Sequence, residues 1–99
     1  MNDYTRHVTE DRRLVILRIL SDVPGYSSNS SILASVLADG WGHSVSRDQV
    51  HTDLAWLAEQ GLIEVEPIAS VHRAVLTARG LDVATGKATV PGVKRPSPR

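Results

Sequence analysis

Ninety-nine residues with an ordinary hydrophobic content of 41% make one domain with a single modest core; domains of this size are stable by only about 5–10 kcal/mol. The absence of cysteine excludes disulfides and thiolate-held zinc, no apolar run approaches the ~18–20 residues of a membrane span, and the polar start MNDYTRHVTEDRR does not read as a signal peptide. Formal net charge is zero, but Lys87, Lys94, Arg95 and Arg99 stand near the C-terminus without an acid, so the body before them holds seven bases against eleven acids and is a poor general-purpose polyanion binder.

A first helix is expected from about Thr9 to Ser21, with Thr9 as its cap and Glu10 and Asp11 at the positive end of its dipole. Leu14, Leu17 and Leu20 form one stripe, while Val8, Val15 and Ile19 share another side. A helix apolar on two sides is deeply buried or touches a second partner. The second option assigns Val8, Val15 and Ile19 to the interface of a symmetric homodimer. Asn29 or Ser30 can cap a second helix to about Asp39, stopped by Gly40, with Ile32, Leu33, Val36 and Leu37 facing the core.

The third helix, Ser46–Gln60, carries the strongest local signals. Ser46 and Gln49 make a capping box, and Val45 with Val50 makes a hydrophobic staple. Val50, Leu54 and Leu57 form the buried stripe, and Gly61 ends the helix with Leu62 placed for the accompanying apolar contact. Trp56 beside Leu57 is expected to complete the core. LIEVEPIAS then alternates as a half-exposed strand that ends at Pro67 or lies at an edge, and VHRAVL returns to make a short hairpin. Thr77 caps a last helix with Gly80 inside it and Gly86 as its stop. Residues 87–99, with three prolines, read as a basic extended or disordered tail.

Helix, helix, helix, hairpin, helix is the layout of a winged helix-turn-helix, a mainly α fold with a small β-hairpin, over residues 1–86. Within it, VSRDQVHTDLAWLAEQGLI and LTARGLDVATGKATVPGVKRPSP resemble a family of small proteins carried by Mu-like phages and prophages. The tail phrase GKATVPGVKRP is the most specific part, because nothing in a generic winged helix requires it. The resemblance implies a phage gene product of winged-helix fold, at work in the cytoplasm of a bacterial host. It implies no particular biochemical activity.

Enzymatic chemistry finds no support. None of His7, His43, His51 and His72 is paired at helical spacing for a metal clamp, and no phosphate-binding glycine loop or nucleophile motif is present. No cofactor or metal is expected; His7 and His43 read as surface side chains. Duplex DNA is the sharper expectation. In a helix-turn-helix the second helix of the pair enters the major groove, which assigns Ser46, Arg47, Gln49, His51 and Thr52 to base or phosphate contacts, with Ala55 allowing close approach. His72 and Arg73 join from the wing, and Lys94, Arg95 and Arg99 from the tail. Arg6, Arg12 and Arg13 are further phosphate candidates or a solvated face. The expected role is transcriptional regulation. The alternative is a winged-helix protein-interaction or assembly adaptor without DNA binding, which the acidic body and short wing favour.

Overall fold

The Asn2 side chain accepts the Thr5 amide at 2.8 Å and starts the first helix, α1 (Asp3–Asp22), in the computed structural model, which describes residues 2–97. Thr9 is therefore not a cap. The added turns are exposed from Asp3 to His7 and carry no apolar period, so only the side-chain cap marks their start. A single 3-10 turn (Pro24–Tyr26) leads into a three-residue strand, β1 (Ser27–Asn29), absent from the sequence expectation. Asn29 then caps α2 (Ser30–Trp41) by accepting the Ile32 amide at 3.0 Å. Gly42, not Gly40, terminates α2, and Ile32 is exposed rather than core-facing.

Helix α3 (Arg47–Glu59) forms as its signals require. Ser46 Oγ accepts the Gln49 amide at 3.1 Å, Val50 is fully buried, and half-buried Val45 packs against the core. At its end the Leu62 amide bonds the Leu57 carbonyl and the Gly61 amide bonds the Ala58 carbonyl, the paired bonds of a Schellman ending. Strands β2 (Ile63–Ile68) and β3 (Val71–Leu76) pair antiparallel, and β1 adds to the other side of β3 with Ser28 opposite Ala74. The sheet order β1-β3-β2 leaves β2 at an edge, where Pro67 is tolerated. Thr77 caps α4 (Ala78–Thr85) by accepting the Gly80 amide at 3.0 Å. The result is an α+β fold of four helices and one three-stranded antiparallel sheet among the described residues.

Two expectations fail for one reason. Val15 and Ile19 are 3% and 7% exposed, and Val8 is half-buried, so that side of α1 is not a free dimer face. Helices α2 and α4 and strand β3 all pack on α1. The tail is also part of this wrapping. Val90 and Val93 belong to the core cluster, the Arg13 guanidinium donates to the Gly92 carbonyl at 3.0 Å, and the Lys94 amide donates to the Glu10 carbonyl at 3.2 Å. Residues 87–97 thus form a strap laid back on α1 and α3 rather than a free tail. The partner implied by a helix apolar on two sides is the chain itself.

Candidate nucleic-acid interface

Helix α3 turns three different faces to its surroundings. Val50, Asp53, Leu54 and Leu57 point inward and are buried. Asp48, Thr52, Ala55 and Glu59 are all exposed and, at about 100° per residue, form the outermost ridge. Arg47 and His51 lie on the flank toward α2 and β3, while Gln49 and Trp56 lie on the flank toward α1. Of the residues expected to meet DNA, Ser46 and Thr52 are exposed, but the Ser46 hydroxyl already caps the helix and Thr52 Oγ1 donates to the Asp48 carbonyl at 3.2 Å. Gln49 is half-buried and turned away from the exposed ridge, with Nε2 3.4 Å from Asp53 Oδ1. The carboxylate it leans toward is internal, which the one-dimensional spacing did not reveal.

Three expected residues do come together, Arg47, His51 and His72. The rings of His51 from α3 and His72 from β3 stack at 3.8 Å between centroids with planes 13° apart. Both residues bond one buried hydroxyl: Ser30 Oγ lies 2.8 Å from His51 Nε2 and accepts the His72 amide at 3.0 Å. Arg47 donates to Ser31 Oγ at 3.2 Å on the same side. Arg73 does not join them: successive strand side chains face opposite sides of a sheet, and Arg73 lies on the outer face of the hairpin, donating to Ser27 Oγ at 3.2 Å and to Glu66 at 2.9 Å. Burial, then the neighbouring His72 and Arg47, hold the His51 pKa below its ordinary value, against the opposing pull of Asp48. The three serines were missing from the sequence reading. The run SSNSS carried only a capping signal, and the hydroxyls gain their role from a strand the sequence did not announce.

The other cations are mostly engaged inside the molecule. Arg12 is neither a phosphate contact nor a solvated side chain: it is 5% exposed and paired with Asp53. Arg13 lies 3.8 Å over the half-buried Trp56 ring, and its Nε has no hydrogen-bond partner among the described residues. Gly92 permits this packing, since a Cβ there would stand 2.7 Å from the Trp56 ring. Exposed Arg6 pairs with Asp3 at 3.2 Å. Lys94 pairs with Asp11 at 3.2 Å, and Asp11 also bonds His43 Nε2 at 2.6 Å. His43 is thus a buried bridge between the α2–α3 connection and α1, not a surface side chain. Arg95 is exposed on the strap; Arg99 lies outside the described residues.

Between Ser46 and Leu76 the exposed charges are Arg47 and Arg73 against Asp48, Glu59, Glu64 and Glu66. The two arginines stand apart, Arg47 beside α2 and Arg73 on the outer face of the hairpin. Among the described residues no three His, Asp, Glu or Cys side chains gather to hold a metal ion, and no helix is long and apolar enough to cross a membrane.

The chain is similar to the uncharacterized protein gp26 of Escherichia phage Mu, with 54% identity over 92 residues that cover 93% of this chain and 94% of that protein. It is 46% identical over 79 residues to an uncharacterized protein of Haemophilus influenzae, covering 79% of this chain and 76% of that one. No family model matches the chain, and no solved structure does.

Proposed function

The chain belongs to the Mu-like phage protein family that includes gp26, and for it we propose a winged-helix protein that contacts duplex DNA through one corner of α3 and the β2–β3 wing, as a small phage regulator. The single observation that carries this reading is the convergence of Arg47, His51 and His72 from two separate elements onto one surface beside the exposed first turn of α3. Arginine is the side chain suited to bidentate recognition of guanine or phosphate. Arg47 at this corner and Arg73 on the outer face of the wing set the scale of the electrostatic grip. They predict a salt slope of about −2, so affinity falls only about tenfold between about 50 and about 200 mM salt.

The test is an equilibrium titration of the protein onto the phage's own regulatory duplex and onto a scrambled duplex at those two salt concentrations. Preference for the native duplex with a shallow salt slope is the expected result. Negligible affinity for both duplexes at the lower salt would overturn the reading.

One observation favours a second reading, a protein-docking module. The outermost ridge of α3 carries Asp48 and Glu59 without a base, and the hairpin tip presents Ile68, 46% exposed, beside uncharged Ala69 and Ser70. That surface suits a protein partner better than a phosphate backbone. Its sign is failure of the DNA titration together with specific crosslinking through ridge positions 52 and 55 to a phage or host protein.

A further inference from the structure

Resting on the DNA reading above, we infer that the Arg47–His51–His72 corner takes up a proton when it takes a backbone phosphate, so that duplex binding by this protein strengthens as pH falls through the histidine range. The geometry begins at Ser30. Its hydroxyl oxygen accepts the His72 amide and sits 2.8 Å from His51 Nε2, at the first residue of α2, with no exposure of its own. A singly charged His51 carries protons on both ring nitrogens. Nε2–H then donates to Ser30 Oγ, which has a second lone pair for it, and Nδ1–H is the donor left for a ligand. This outcome is the same whichever neutral tautomer precedes it. His72 uses only its backbone amide on Ser30, and neither imidazole has a buried nitrogen without a partner. The corner therefore has imidazole nitrogens open to an incoming oxygen.

The charges around the stack make the proton depend on a ligand. Arg47 and Asp48 face it from α3, whereas the Arg73–Glu66 pair lies on the opposite face of the hairpin. Helix α2 contributes Ser30 and Ser31, which carry no charge. Two imidazoles 3.8 Å apart disfavour a second positive charge on either, and Arg47 adds to that repulsion. Without a ligand, burial and these neighbours hold His51 toward its neutral form. A phosphate oxygen placed between Arg47 and the stack reverses the balance, since an anion at hydrogen-bond distance favours the charged imidazole. Linkage then requires that the proton taken up on binding appear as a pH dependence of affinity.

The experiment measures duplex affinity for wild type, His51→Gln and His72→Gln at about pH 7.5 and about pH 6, with thermal melts showing that each variant is folded. Uptake of one proton changes affinity by at most about tenfold per pH unit. Wild type is expected to bind about tenfold more tightly at the lower pH. His51→Gln keeps a polar side chain without a titratable ring, and its profile should be nearly flat. His72→Gln removes the stack but keeps the His51 proton site, so its slope should persist, and it remains informative if His51→Gln melts early. A flat wild-type profile, a slope preserved in His51→Gln, or a slope lost in a folded His72→Gln overturns the proton linkage while leaving DNA binding in place. No duplex binding at either pH overturns the DNA reading and this inference with it.

Discussion

Arg12 on α1 grips Asp53 on α3 with two parallel bonds, Nε to Oδ2 at 2.5 Å and Nη2 to Oδ1 at 3.1 Å, and both side chains are nearly excluded from solvent. The pair accounts for much of the acidity of α3, because one of its carboxylates is internal and neutralised. Removing one member leaves the other buried and unpaired. Asp53→Ala should therefore lower unfolding stability by about 3–5 kcal/mol, whereas Arg12→Met with Asp53→Leu should be far milder. Urea denaturation of the three proteins checks this. A single variant as stable as wild type would mean that water reaches Arg12.

Gly80 lies in α4, where alanine is intrinsically better by about 1 kcal/mol. A Cβ at this position, however, would stand 2.0 Å from the Leu62 carbonyl oxygen and 2.7 Å from a Leu76 methyl. Backbone cannot give way as a side chain can. Gly80→Ala should destabilise the protein by about 2 kcal/mol or more, opposite in sign to its helix propensity. A melting temperature at or above wild type would show that α4 sits farther from the α3–β2 junction.

The strap should contribute to stability although it has no secondary structure. Val90 and Val93 are 6% and 8% exposed. Truncating both to alanine removes two carbons from each, at about 0.8 kcal/mol per buried carbon, or about 3 kcal/mol together. Chemical denaturation of the double variant measures the loss, and limited proteolysis should cut the strap first. Stability equal to wild type would return residues 87–97 to the status of a free tail.

Asp11 links α1 to the strap and to the α2–α3 connection. Burial alone would raise its pKa, but the bonds to His43 and Lys94 outweigh burial and hold it below the usual value of 3.8. A carboxylate depressed in the folded state stabilises the protein above its unfolded pKa, and that contribution disappears as pH falls through the folded value. The Asp11 contribution should be complete above about pH 5 and be lost below about pH 4. Asp11→Asn should show a shallower acid limb below about pH 4. An identical limb in the variant would contradict this assignment.

How far the sequence could be read depended on how local each signal was. The cap, staple and glycine ending of α3 involve residues within a few positions of one another, and all lie where the spacing placed them. Thr77, Gly86 and the β2–β3 hairpin were legible for the same reason. Strand β1 was not, since Ser27–Asn29 has no apolar alternation and becomes a strand only because β3 offers it an edge. The strap was missed because Val90 and Val93 are too sparse to set a period, and their partners lie far back in the chain. Arg12 and Asp53 are separated by 41 residues, so nothing local tied them. The same holds at the candidate interface. Arg47, His51, His72 and Arg73 were each named from their elements, but the serine hydroxyls and the ring stack needed the third dimension.

The proposal that this corner meets DNA is tested most directly by titrating wild type, Arg47→Ala and Arg73→Ala onto native and scrambled duplexes at about 50 mM salt. Arg47→Ala should remove about 1–3 kcal/mol of discrimination, bringing the two duplexes together, if Arg47 reads a base edge. Arg73→Ala should weaken both duplexes alike and reduce the salt slope by about one, as a phosphate contact does. Wild-type protein that binds neither duplex, or substitutions that leave both affinities unchanged, would contradict the account and leave the acidic ridge of α3 as a surface for another protein.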